Sequence, residues 1–297
     1  MSAPLNEKYY VRNPFYAYAH TMFPVLCFFL ILYLARQASN ISESLLIFFL
    51  AGFIQYRLYF PLHDCSHLSL FQTKQENYFW GYVLGAILFT PFINFREEHL
   101  KHHQFYGSPQ DPAFYEYGIK TNSNFKLFYF LLQPLWFGTV LKKIRDFYSN
   151  PKQNNSKSNV LLSSASIFVL ILIQGSFFLI TTHSGESIWR YFVFMFMPLA
   201  TLFLFLHRFR MYLEHAPISS CTKEKVRTII SPFYEKIFLA GLHFNYHEEH
   251  HRFPHVSSCH LRHLHEELFS KKDIWNKPVY GYLNVFKQIV FNLNPPK

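Results

Sequence analysis

The chain has 297 residues, 50% of them apolar and 20% aromatic, with a formal charge of +10 and only 10 glycines. So few glycines argue against a glycine-rich phosphate-binding enzyme. With no nucleic-acid motif present, the basic balance fits Lys and Arg facing anionic lipid better than a nucleic-acid partner. The apolar residues gather into runs of roughly twenty, the length that crosses a bilayer core as a helix.

The first twenty residues, MSAPLNEKYYVRNPFYAYAH, lack the basic-then-apolar layout and small-residue cleavage site of a signal peptide. An apolar run extends from Ala19 to Ala35 and is closed by Arg36. A second, Leu45 to Leu62, contains Gln55 and Arg57, which are expected to snorkel or to face the protein interior. A third, Tyr78 to Phe95, is interrupted by Pro91, and an aromatic patch follows from Phe125 to Phe137. PKQNNSKSN (Pro151 to Asn159) reads as a solvated loop. The runs Val160 to Ile180 and Ile188 to Leu206 read as spans, the latter despite Pro198. From His207 onward the chain is polar, basic and histidine-rich. Cys27, Cys65, Cys221 and Cys259 form no CxxC pair and read as reduced thiols of a cytosol-facing protein.

Three histidine clusters lie at the edges of these runs: His63-Asp-Cys-Ser-His67, His99-Leu-Lys-His102-His103 and His247-Glu-Glu-His250-His251. On a helix, residues at i and i+4, or at i, i+3 and i+4, project from one face. Each cluster therefore aims its imidazoles at one place. Imidazole binds iron, zinc, copper or nickel, whereas magnesium and calcium prefer oxygen. Eight histidines exceed one four-coordinate zinc and suit two transition-metal ions, and the unpaired cysteines disfavour structural zinc or iron–sulfur centres.

Parity turns this into a topology. One site requires all clusters on one membrane face, and four spans near 19–36, 43–62, 159–181 and 187–207 achieve that, provided that 78–95 dips in and returns or lies in the interface. The connections 37–43 and 182–186 carry no Lys or Arg, so positive-inside places the clusters in the cytosol. The expected fold is an all-α integral membrane protein with four transmembrane helices, a re-entrant or interfacial segment, and a cytosolic helical cap holding the metal site. It forms a single domain over residues 1–297 with its core at about 45–268.

HDCSH, HLKHH and HEEHH, in this order and separation, resemble the three histidine boxes of the membrane fatty-acid-desaturase and hydroxylase superfamily. The stretches HLKHHQFYGSPQDPAF and HFNYHEEHHRFPHVSSCHL carry the resemblance further, from about residue 50 to 268. It implies two non-haem iron ions with dioxygen as co-substrate, and the ligands His63, His67, His99, His102, His103, His247, His250 and His251, joined by His215 in RMYLEHAP. Some desaturases place an asparagine, acting through water, four residues before that last histidine; here Met211 stands there, with His243 or Asn245 as candidates to compensate.

The remaining polar residues have expectations of their own. His243 shares the face of His247 if the segment is helical, as a further ligand or a supporting residue. Glu214, Glu248, Glu249 and Asp111 either orient the outer nitrogens of ligating histidines or are simply solvated, with Glu214 and Asp111 also candidates for an additional ligand. Glu97 and Glu98 read as charging a helix start before His99. His20, His183 and His207 read as interfacial, and His255, His260, His263 and His265 as surface or substrate-entry residues.

The resemblance implies a fatty-acyl or lipid desaturase that takes a hydrophobic substrate within membrane lipid. No His-Pro-Gly-Gly, CxxxxCxxC or GxGxxG stretch is present, so electrons are expected from a separate donor of ferredoxin or cytochrome b5 type. A lipid or alkyl hydroxylase or a carotenoid ketolase uses the same boxes. A histidine-rich metal transporter is the reading from another class; it would place ligands near the membrane midplane, whereas these clusters lie at span ends.

Overall fold

The computed structural model describes residues 5–119, 121–149, 160–182, 188–216, 226–241, 243–272 and 277–293. The expected loop Pro151–Asn159, the connection at 183–186, His183 and Cys221 lie outside the described residues. Helices dominate, as the sequence predicts. Helix α1 spans Pro14–Gln37; its N-cap Asn13 accepts from the Tyr16 amide, and Pro14 occupies the first turn, where no amide donor is needed. Helix α2 spans Ile41–Ser66 behind the N-cap Asn40. Helix α7 spans Val160–Thr182, and α8 is the helical run Trp189–His215. Between α2 and α7 lie α3 (Lys74–Ile87), α4 (Phe92–Phe105), α5 (Asn124–Leu132) and α6 (Gly138–Ser149).

Four helical runs among the described residues are long and apolar enough to cross a membrane: Glu7–Gln37, Ile41–Ser66, Leu162–Ile180 and Trp189–His215. Phe23, Leu26 and Leu30 on α1 and Phe168, Ile171 and Leu179 on α7 are exposed, as side chains facing lipid would be. The inward faces join one core cluster that includes Phe28, Tyr56, Phe60, Leu84, Phe92, Phe177 and Met195.

The run around Pro91 does not form a straight span. A Thr73–Glu76 capping box starts α3, and α3 and α4 meet at 101°. The turn is tight, with the Thr90 amide donating to Gly85 O at 2.8 Å and Pro91 standing at the N-cap of α4. Helix ends at membrane depth need partners for their free carbonyls. Gln174, from the middle of α7, supplies them: its Nε2 donates to Ala86 O (2.6 Å) and Ile87 O (3.2 Å), while Tyr191 donates to its Oε1 (2.7 Å). That pairing explains a buried glutamine in the most apolar helix and fits a segment that enters and returns.

Inside α8, Pro198 cannot donate an amide, and the helix widens into π turns at Phe192–Phe196 and Leu199–Phe203 on either side of it. The helix nevertheless continues to His215, beyond the apolar run expected to end near 207. Gln55 and Arg57 both turn inward: Gln55 Nε2 donates to Met195 O (2.8 Å) and Arg57 Nη1 to Ile237 O (3.1 Å).

After α8 come β1 (Ile229–Ile230), the short helices α9 (His247–Arg252) and α10 (Leu261–Ser270), β2 (Val279–Tyr280) and α11 (Tyr282–Leu293). The parallel pairing of Ile229 with Val279 and Ile230 with Tyr280 is the departure from an all-α expectation. It anchors α11 against α8, in a second core of Met211, Leu213, Ala240, Tyr282, Val285 and Ile289.

Candidate metal centre

Four elements deliver the histidines. Helix α2 carries His63 and ends with His67 as its C-cap, α4 carries His99, His102 and His103, α9 carries His247, His250 and His251, and α8 ends on His215. The structure gathers eight of these into two groups. His63, His67, His99, His103 and His250 offer one nitrogen each, all within 4.8 Å of one another; His102, His215 and His251 form a second set by the same measure. His247 adjoins the second set, its Nε2 2.9 Å from that of His215. This corrects the expectation that each cluster aims at one place: in α4, His99 and His103, one turn apart, face the first group while His102 faces the second.

The residues fit metal ions. Nε2–Nε2 separations are 2.8 Å for His67–His99, 3.1 Å for His99–His103 and 3.1 Å for His103–His250. Two ligands at right angles on an ion with metal–nitrogen bonds of about 2.1 Å lie about 3.0 Å apart. Among the described residues, several buried ring nitrogens have no hydrogen-bond partner, including His63 Nε2, His102 Nε2 and His251 Nε2. Each would cost roughly 1–3 kcal/mol if nothing coordinated it. Burial, reinforced by neighbouring imidazoles (His103 for His250 and His251, His215 for His247), holds these three pKa values well below the ordinary histidine value. They are neutral, the form that ligates a metal.

The fatty acid desaturase family model matches residues 43–275 of this chain, most of its length and all three boxes. The chain belongs to that family. A fatty acid desaturase of Bacillus subtilis is 27% identical over 92 residues, covering 31% of this chain and 26% of that protein. The rice protein Sphingolipid delta(4)-desaturase DES1-like is 22% identical over 269 residues, 84% of this chain and 73% of that protein. A Caenorhabditis elegans protein, whose name gives it as a sphingolipid delta(4)-desaturase/C4-monooxygenase, is 27% identical over 113 residues. That match covers 36% of this chain and 31% of the nematode protein, so the chain spans only about a quarter to a third of two of these relatives.

A layer of polar groups holds the desaturase-family histidines. Asp111 Oδ2 lies 2.8 Å from His102 Nδ1 and also accepts from Tyr117, while Oδ1 accepts from the Ala113 amide (2.7 Å). This fixes the ring with Nε2 turned toward His215 and His251. Glu249 takes a different partner from the one expected. It binds Thr228 and His265 Nδ1 (2.5 Å), so His265 is a buried brace for α9 and not a surface residue. Arg227 donates to Leu213 O (2.5 Å) and Ala216 O, capping the end of α8 at His215. Asp64, between the box-one histidines, accepts from Ser258 (2.5 Å), and His255 Nδ1 meets His67 O (3.2 Å). Arg227, Ser258 and Tyr117 carried no signal in sequence: Ser258 reaches Asp64 across 194 residues and Arg227 reaches Leu213 across 14, while Tyr117 is only six from Asp111.

Two further expectations are corrected. Gly241, at φ +60, breaks the chain, and α9 begins only at His247. His243 therefore does not share the box-three face. It packs on Tyr16 (centroids 6.2 Å apart), which stacks on the buried His20, and burial lowers its pKa to about 4. Glu97 and Glu98 lie mid-helix, since α4 starts at Phe92. His207 lines a cavity, edge-on to Tyr59 at 4.7 Å. Asn245 is fully buried, donating from Nδ2 to Ile229 O (3.1 Å).

That cavity, of about 320 Å³, has an apolar wall of Leu62, Leu88, Phe89, Phe95, Phe203 and Leu204. Its lining also includes His63, His99, His102 and His247 together with Glu98, Tyr115 and Lys143. An apolar slot ending on convergent polar groups has the form of a small-molecule site. The α3–α4 bend builds much of its floor.

Proposed function

We infer that this desaturase-family protein is a membrane non-haem di-iron oxidoreductase that introduces a double bond into the acyl chain of a lipid. Dioxygen is the co-substrate, and a separate donor of ferredoxin or cytochrome b5 type supplies electrons. The observation that carries this reading is an apolar cavity opening onto two groups of clustered histidines. His63, His67, His99, His103 and His250 would hold one iron, and His102, His215, His247 and His251 the other. Bound iron would supply the oxygen chemistry that removes hydrogen from an unactivated C–H bond. Overall, dioxygen leaves as two waters, taking two hydrogens from the acyl chain and two electrons and two protons from outside.

The protein's part is placement. The wall formed by Leu88, Phe89, Phe95 and Phe203 takes a hydrocarbon chain and keeps water from the reacting carbons. Glu98, Tyr115 and Lys143 suit the polar part of the lipid. The basic segments around the boxes put the metal face in the cytosol under the positive-inside rule, where a soluble or membrane-anchored donor can reach it.

A second reading, lipid hydroxylation on the same site, is favoured by the monooxygenase in the nematode relative's name. Mass spectrometry of lipids from cells expressing the chain separates the two. Loss of a hydrogen pair from acyl chains is expected, and gain of an oxygen atom assigns hydroxylation instead. His102→Ala and His250→Ala should each abolish the product and lose the iron of their own group; full activity in either variant refutes the di-iron reading. Zinc uptake by vesicles without oxygen consumption would point to transport.

A further inference from the structure

The two histidine groups are not equivalent. The first brings five imidazoles within mutual ligand distance and the second only three, with His247 beside them. The residue one turn before His215 on α8 is Met211, which offers no nitrogen or oxygen. Next to His215, however, stands Glu214, a carboxylate with no solvent exposure.

The surroundings of Glu214 fix both oxygens. Tyr282, from the start of α11, donates to Oε1 at 2.7 Å, and Arg210 Nε donates to Oε2 at 3.0 Å. Tyr282 is itself tied down, because its amide donates to the buried Glu235 at 2.7 Å. A carboxylate oxygen has two lone pairs, and Arg210 takes one from Oε2. The same oxygen lies 3.5 Å from His247 Nε2, which lies 2.9 Å from His215 Nε2. Donor atoms about 2.1 Å from a common ion stand about 3.0 Å apart at a right angle and about 3.4 Å apart at the tetrahedral angle. Both contacts fall within or close to that range.

Given the two-metal reading proposed above, the geometry points to Glu214 as an oxygen ligand of the second ion, aimed by Arg210 and Tyr282. The chain would then hold one all-histidine ion and one histidine–carboxylate ion. A hard anionic oxygen stabilises the higher oxidation state of iron relative to imidazole alone, so the two ions would differ in electronic character.

The test is Mössbauer spectroscopy and iron counting on the detergent-purified full chain loaded anaerobically with ⁵⁷Fe²⁺. Wild type should bind two irons and show two quadrupole doublets of equal area. Glu214→Gln should lose or shift one doublet and leave the other in place. Tyr282→Phe keeps the carboxylate but frees Oε1; it should retain both irons while changing the splitting of that same doublet alone. Two irons with an unchanged spectrum in Glu214→Gln overturn the proposal. So does simultaneous loss of both irons from Glu214→Gln alongside an unchanged Tyr282→Phe spectrum, which would make Glu214 scaffold only. If wild type itself binds no iron, the two-metal reading fails first and this inference falls with it.

Discussion

Asp111 Oδ2 stands 2.8 Å from Nδ1 of His102, and the Nε2 on the far side of that ring has no hydrogen-bond partner among the described residues. One carboxylate thus selects the tautomer that leaves Nε2 free to ligate. Asp111→Ala removes that brace without touching a ligand. Iron affinity at the second site should fall by about 10–100-fold, with the first site unaffected. Competition titration with a chelator reads both, and equal weakening of the two sites would contradict this assignment of His102.

The division of the nine histidines makes a second prediction. His67 belongs to the first group and His215 to the second. His67→Ala and His215→Ala should each remove about one iron per chain, from different sites, and both should abolish product formation. Elemental analysis of the purified variants checks the count. Complete iron loss in each would mean that the two groups act as one cooperative site.

The boxes are legible in the sequence because i, i+3 and i+4 spacing has one meaning on a helix, and α2, α4 and α9 are helices where it matters. His243 shows the limit of that logic. Its spacing from His247 is the same as that of His63 from His67, yet Gly241 and the turns after it keep the segment from being helical. Whether a segment is helical depends on tertiary packing as well as local pattern. Asp111 was legible because it lies close to its box; Tyr282 and Arg227 were not, since long-range pairing brings them in.

The bend between α3 and α4 depends on Gly85. A β-carbon there would lie 2.5 Å from Thr90 O, a backbone atom that cannot swing aside. Gly85→Ala should therefore open the turn, disturb the cavity floor at Leu88–Pro91, and destabilise the fold by about 1–3 kcal/mol as an overpacking change. Thermal unfolding in detergent and turnover measured together check this. A variant with wild-type midpoint and activity would show that the turn relaxes freely.

Arg208 and Glu116 form a fully buried ion pair at 2.8 Å, and Arg208 also binds Phe130 O (3.1 Å) and Gln133 Oε1 (3.0 Å). Together they lock α8 to the segments before and after α5. Glu116→Ala strands a buried guanidinium and should cost about 3–5 kcal/mol. Glu116→Gln keeps an acceptor and should cost less. Urea or thermal denaturation gives the order, and an alanine variant no weaker than the glutamine one would contradict it.

The N-terminal segment is latched to α10 through Glu267. Lys271 at 2.7 Å, Tyr9 at 2.5 Å and Lys8 at 3.2 Å surround its carboxylate and, with Lys271 contributing most, lower its pKa to about 2 from an ordinary value of 4.5. A carboxylate with a depressed folded pKa contributes stability that is complete above its unfolded pKa and is lost as pH falls through the folded one. The latch should therefore hold at neutral pH, begin to weaken below about 4.5 and be released near about 2. Hydrogen exchange at residues 7–12 should rise over that window in wild type. In Glu267→Gln it should be raised already at neutral pH and change little with acid. The same acid response in both proteins would place the titrating group elsewhere.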